Sequence, residues 1–274
     1  MSKPSQKLVF VCATPSEAKP LVARYQLTKL QHQPFTVFGS ADENIQVLVS
    51  GIGAQNCNQA CCWYAGMAPN VNIWLNVGVA GHGHLDIGEH ALVTKSTGAM
   101  LEQAYYPSLH TKWSARYAEC LSLYAPSADY ADCLFDMEAN GFFCAARRFA
   151  SPEFIHSIKV VSDNPKTPFE APNKQHIEKL IENALDTIAE FAMNLVQLSR
   201  QSQLEPAYSY SYLAPTLNFR ATHSEGLILE QMVNALDAVE QWSQQEADRL
   251  SQCETAKSAI DWLQQKHAQI EPRF

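Results

Sequence analysis

WLNVGVAGHGHLDIGEHALVTKS, residues 74–96, reads as a buried strand, a turn of small residues and a second strand. The run Ile73–Val77 is mostly apolar on both faces, as in a strand covered on both sides of a sheet. It leads into Asn76-Val77-Gly78-Val79-Ala80-Gly81. Small residues at a strand's carboxyl end let a ligand rest on bare backbone. His82 and His84 follow, but two histidines without Cys or carboxylate at ligand spacing do not make a metal site, and none is expected.

Similar short runs stand at Leu8–Cys12, Ile45–Val49, His90–Val93 and Ile158–Val161. Helical stretches lie between them: Ser16–Arg24 after Thr14-Pro15, Gln55–Ala68 after SGIG, and Met137–Phe149 after the loop SADYADC. Strand, turn and helix in alternation predict an α/β fold of three layers, α/β/α, around a central mixed, mostly parallel sheet. Ligands of such sheets bind beyond the carboxyl ends of the strands.

Residues 174–200 place Ile177, Leu180, Ile181, Ala184, Leu185, Ile188 and Phe191 on one face, the spacing of a long amphipathic helix. The polar break QSQLEP follows, so a boundary is expected near 201, dividing a domain of residues 1–200 from a mainly helical extension of residues 201–274. Helices are expected there over Ser224–Trp242 and Gln244–Ala268.

Of the 274 residues, 46% are hydrophobic and 18% charged, and the net charge is -8. Phosphate backbones are bound by clustered Lys and Arg, so this balance argues against nucleic acid as a partner. No stretch reaches the roughly 18 consecutive apolar residues of a membrane span. The apolar run Leu8–Ala13 is short for a signal-peptide core, and the eight cysteines form no paired framework; a cytoplasmic protein with free thiols is expected.

The strand ends carry the chemistry. In VCATPSEAKPL, Glu17 falls in the first turn of a helix, where the dipole favours a carboxylate. Ser50-Gly51-Ile52-Gly53 closes a strand and opens a helix, without the third glycine of a dinucleotide site or the Lys of a P-loop. In LFDMEANGFFCAARRF, Asp136 and Glu138 open an apolar helix, either as caps or because the inner carboxylate binds something. In FIHSIKVVSDNPKTPF, a buried strand runs into Ser162-Asp163, either an Asx-type turn before Pro165 or a general acid at the lip of the sheet.

Taken in order, ATPSEAKPL, SGIG, NVGVAG, MEA and SD resemble the motif series of the nucleoside phosphorylase and nucleosidase superfamily, nearest to its methylthioadenosine/S-adenosylhomocysteine nucleosidase type. The resemblance covers roughly residues 8–200. It implies hydrolytic cleavage of the N-glycosidic bond of a purine nucleoside, with a 5′-modified adenosine as one such substrate. On that resemblance Asp163 protonates the leaving purine, supported by Ser162. Glu17 directs the attacking water, and Met137 and Glu138 hold the ribose. Asn76, Val79, Ala80 and Gly81 line the strand end.

Family phosphorylases hold phosphate with an Arg and a Ser in the strand-end motif. Asn76 and Val79 stand there in this chain, and neither pairs with phosphate as Arg does, so water is the expected nucleophile. Val79 also replaces a hydroxyl residue common in nucleosidases. In AYYPSLHTKW, residues 104–113, Tyr105, Tyr106 and Trp113 are candidates to stack on the base. The resemblance further implies no cofactor and a homo-oligomer, a dimer by expectation. A phosphate-dependent phosphorylase and a nucleoside-binding regulatory protein of weak turnover are the competing readings.

Overall fold

The computed structural model describes residues 7–31, 34–68, 71–98, 100, 104–168, 173–202, 214–238 and 242–269. The chain divides into two compact units, Met1–Arg200 and Gln201–Phe274.

The first unit is built on a mixed sheet. Its strands are β1 (Lys7–Cys12), β2 (Thr28–Gln31), β3 (Thr36–Gly39), β4 (Ile45–Val49), β5 (Val71–His82), β6 (His90–Gly98), β7 (Arg116–Ser122), β8 (Leu134–Asp136) and β9 (Ile155–Asp163). Their order is β2-β3-β4-β1-β5-β8-β7-β6-β9, and β9 also pairs with β5. Strands β4, β1, β5 and β9 run parallel, while β2–β3, β3–β4, β5–β8 and β6–β9 are antiparallel. The β6–β7 and β7–β8 pairings are parallel too, so among the described residues five of nine pairings are parallel and the sheet is mixed and mostly parallel, as expected; half of it closes into a ring through β5, β8, β7, β6 and β9. Closure follows from the length of β5. It pairs with β1 over residues 71–76, with β9 over residues 74–81 and with β8 at residues 81–82.

The segment NVGVAG, expected as a turn, is thus strand. Backbone pairing to β9 continues through it, and its small residues mark close side-chain approach instead of a reversal.

Four helices flank this sheet: α1 (Pro15–Arg24), α2 (Ala54–Met67), α3 (Ala139–Ala146) and α4 (Lys174–Ser202). Alternate residues of β1 serve two separate cores. Val9 and Val11 pack with Cys57, Ala60 and Tyr64 of α2 and Phe142 and Phe143 of α3. Leu8, Phe10 and Cys12 pack with Leu21 of α1 and Ile181, Ile188 and Phe191 of α4. A strand whose side chains alternate between two apolar layers must be apolar on both faces, which is the pattern seen in its sequence.

In the second unit lie α5 (His223–Ala238), α6 (Gln244–Ser251) and α7 (Ala256–His267). Leu229, Val233, Leu236, Trp242, Leu250, Ala259 and Leu263 form its core. The helix expected to run unbroken over Gln244–Ala268 is two helices. Thr255 accepts from the Ser258 N–H and starts a new helix with a capping box, a local signal that outweighs helical propensity across the junction. Residues 203–213, and with them most of the expected polar break, lie outside the described residues. No described helix is long and apolar enough to cross a membrane.

Candidate active site

The carboxyl ends of β1, β4, β5 and β9 converge, and each contributes one feature. After β1, Thr14 caps α1 and forms a capping box with Glu17. The Thr14 N–H and hydroxyl donate to Glu17 Oε2 at 2.8 and 3.0 Å. The other oxygen, Oε1, accepts the Val79 N–H at 3.1 Å. Glu17 is both a helix cap and a bridge to β5, and it is only 4% exposed.

After β4, Gly51 and Gly53 take φ of +85° and +101°, the left-handed region where a Cβ is strained. Gly53 opens α2 with no side-chain cap. Its N–H instead donates to Glu138 Oε1 at 2.7 Å. Contact between α2 and α3 makes this possible, because a Cβ on Gly141 would lie 1.9 Å from the Ala54 carbonyl oxygen.

Asp136 and Glu138 share an acidic helix start but have different partners. Asp136 is the true cap, accepting the N–H groups of Ala139 at 2.7 Å and Glu138 at 3.2 Å. It also accepts the Ser122 hydroxyl at 2.5 Å and pairs with the Lys159 ammonium at 2.7 Å. The lysine emerges from β9, opposite Gly78 of β5.

The titration of these groups follows from their surroundings. Burial alone would lower the Lys159 ammonium, but Asp136 and Glu138 beside it raise it on balance. Burial likewise opposes ionisation of Asp136, yet Lys159 and its hydrogen bonds hold it below the usual carboxylate range. Glu138 has no cation of its own. Burial, with Asp136 and Glu17 as like-charged neighbours, pushes its carboxyl up to about 7.

At the end of β9 the register slips by one against β5. Val161 stands opposite Ala80 and Asp163 opposite Gly81, leaving Ser162 as the extra residue. Bulges of this kind re-aim side chains at sheet edges. The Ser162 hydroxyl donates to Asp163 Oδ1 at 2.6 Å and lies 3.4 Å from the Ala80 carbonyl. The Tyr130 hydroxyl donates to Oδ2 at 2.7 Å.

The glycines of β5 provide the space for these groups. A Cβ on Gly78 would sit 2.8 Å from Glu17 Oε1 and 3.4 Å from Lys159 Nζ. One on Gly81 would sit 2.6 Å from Asp163 Oδ2.

Of the residues singled out in the sequence, Glu17, Val79, Ala80, Gly81, Glu138, Ser162 and Asp163 are joined by these contacts, and Met137 lies half-buried between Asp136 and Glu138. Others stand apart. The Asn76 amide is a structural brace, donating to the Val11 carbonyl at 3.0 Å and accepting from Ser157 at 2.7 Å, so its polar atoms are used within the sheet. Trp113 is core. Its indole N–H reaches the Arg116 carbonyl at 2.6 Å, and its ring packs edge-on against Phe191 of α4. Tyr105 stacks on Phe143 at 4.7 Å, and Tyr106 is exposed.

Lys159 and Tyr130 are the members of this constellation that sequence reasoning missed, while Asp136 is a cap, one of the two readings its sequence allows. A lone Lys in the apolar run of β9 was a signal, since a buried ammonium demands a carboxylate. Tyr130 sits in a polar loop with nothing local to mark it.

No family model matches the sequence, and no curated protein matches it either. Solved structures do share its fold. A 5′-methylthioadenosine nucleosidase from Arabidopsis thaliana superposes with a TM-score of 0.55 at 16% identity, covering 71% of this chain and 97% of that one. The 5′-methylthioadenosine/S-adenosylhomocysteine nucleosidase of S. pneumoniae gives 0.57 at 14%, covering 69% and 100%. The futalosine hydrolase of Helicobacter pylori gives 0.54 at 15%, covering 70% and 98%. The chain has the fold of these nucleosidases.

Proposed function

We propose that the first unit hydrolyses the N-glycosidic bond of a purine nucleoside. The observation that carries this reading is the meeting of three carboxylates from distant parts of the chain at the end of β5. Glu17 lies against Gly78 and Asp163 against Gly81, while Glu138 faces Gly53 with Glu17 as an electrostatic neighbour.

Cleavage of such a bond passes through an oxocarbenium-like sugar and a base that leaves with the bonding electrons. A site rich in buried carboxylates stabilises that developing positive charge. Asp163 gives its proton to the departing base nitrogen as the C1′–N bond breaks. Water adds to C1′ and gives a proton to Glu17. Glu138, once ionised, accepts the ribose hydroxyls. Proton return from Glu17 to Asp163 through solvent restores the starting state.

Water is favoured over phosphate as the nucleophile because Lys159, the cation described at this site, is paired with Asp136. An entering phosphate would meet Glu17 and Glu138 with little positive charge left to hold it. Val79 suits the reading without a hydroxyl, since its contribution to Glu17 is a backbone N–H.

The test is release of free base from a panel of purine nucleosides, 5′-modified adenosines among them, with and without phosphate. Phosphate-independent release that Asp163→Asn abolishes is the expected result. Release only with phosphate would replace hydrolysis by phosphorolysis. Tight binding without release would make the chain a nucleoside sensor.

A further inference from the structure

The segment Tyr130-Ala131-Asp132 packs against Gly81-His82-Gly83. The Tyr130 ring lies over Gly81, where a Cβ would meet its Cε1 at 2.9 Å. The Gly83 N–H donates to the Ala131 carbonyl at 2.8 Å, and a Cβ on Gly83 would come within 2.4 Å of that oxygen. Asp132 stands 3.9 Å from the His82 ring. His82 Nδ1 is itself held, accepting the N–H groups of His84 and Leu85. The Gly-His-Gly sequence is therefore a docking strip for the loop, and the loop delivers one hydroxyl to Asp163.

We propose that Tyr130 is a positioning residue for proton transfer from Asp163 to the leaving group. The inference rests on the glycosidase reading above. When Asp163 gives up its proton, negative charge appears on its two oxygens. Ser162 donates to one and Tyr130 to the other, so both donors already point at the charge that forms. Such pre-set donors lower the barrier of the step that generates the charge. They contribute nothing when the leaving group departs without a proton.

That condition supplies the test. Wild type, Tyr130→Phe, Asp163→Asn and Gly83→Ala are compared on a purine nucleoside and on p-nitrophenyl riboside, whose phenolate leaves unprotonated. Tyr130→Phe keeps the ring over Gly81 and removes only the hydroxyl. Its kcat on the purine nucleoside should fall roughly 10- to 100-fold, the worth of one hydrogen bond to a charged group, with KM little changed. Its rate on the nitrophenyl riboside should stay within about twofold of wild type, as should that of Asp163→Asn. Gly83→Ala, which moves the loop without touching the phenol, should repeat the Tyr130→Phe pattern.

Equal losses on both substrates would make Tyr130 a merely structural residue and overturn the proposal. An unchanged Tyr130→Phe beside an inactive Asp163→Asn on the purine nucleoside would overturn it while leaving the glycosidase reading intact. A wild-type chain that cleaves neither substrate would remove that reading and this inference together.

Discussion

The Lys159 ammonium lies 2.7 Å from the Asp136 carboxylate, with 1% and 0% of the two side chains exposed. They join β9 to the start of α3 beneath the candidate active site. Neither group can be spared alone, because the one left behind would be a buried, unpaired charge. Lys159→Met should therefore cost about 3–5 kcal/mol in a denaturant titration. Lys159→Met combined with Asp136→Asn should recover much of that loss. A single Lys159→Met variant as stable as wild type would show that the pair is not sealed from water.

Gly81→Ala adds a methyl 2.6 Å from Asp163 Oδ2 and 2.9 Å from the Tyr130 ring. One of the two must move. Displacing a reacting group by about an ångström costs on the order of 100-fold in rate. A loss of that size in kcat/KM, with the native circular dichroism spectrum retained, is expected. Gly78→Ala should do the same through Glu17, which it would meet at 2.8 Å.

On the proposed function, Glu138 should make stability and activity respond to pH in opposite directions. Its carboxyl sits at about 7 in the fold against a usual 4.5. The folded state thus holds a proton that the unfolded chain loses between these values, so stability falls as pH rises from 4.5 through 7. The full cost above pH 7 is on the order of 2–3 kcal/mol. Glu138→Gln should be more stable than wild type at pH 8 by that order, and indistinguishable at pH 4. If Glu138 accepts the ribose hydroxyls as proposed, it does so ionised, and kcat/KM for ribosides should rise through pH 7 in wild type. Equal stability of the two proteins at pH 8 would contradict the placement of Glu138 in a dry site.

His156 acts on the acid side. It is fully buried, with Nε2 on the Glu153 carbonyl and its ring against Phe191 of α4. Burial holds it down at about 4 against a usual 6.5. The unfolded chain binds the extra proton first, so the neutral ring's contribution is complete above pH 6.5 and lost as pH falls toward 4. The shift corresponds to about 3 kcal/mol. In His156→Gln the stability profile between these values should be flatter than in wild type by that amount. Identical slopes would mean the ring is reached by water.

How legible the site was depends on the distance over which each residue is determined. Glu17 is legible because its place in the first turn of a helix is a local feature, to which the structure adds the capping box with Thr14. Asp163 stands out as the carboxylate that ends an apolar strand, although the sequence leaves an Asx-type turn equally open. The start Asp136-Met137-Glu138 reads either as caps or as a binding carboxylate, and its division into a cap paired with Lys159 and an acid raised by burial, Asp136 and Glu17 is set by residues distant in sequence. Asn76 and Trp113 have structural partners that their sequence context does not show. Burial gives each a partner far along the chain, the Val11 carbonyl and Phe191.

What the sequence determined alone is what period and turn chemistry control: apolar strands buried on both faces, glycine-rich strand ends, and a carboxylate after β1, before α3 and at the end of β9. Tertiary structure alone decided which of those groups meet. The Val79 N–H reaches Glu17 across 62 residues, Gly53 reaches Glu138 across 85, and Tyr130 reaches Asp163 across 33. The physical reason lies in the sheet. Parallel pairing of β1, β5 and β9 stacks distant strand ends side by side, and the slip at Ser162 turns the last carboxylate onto Gly81. Backbone hydrogen bonding sets both, and no side-chain pattern along the chain records them.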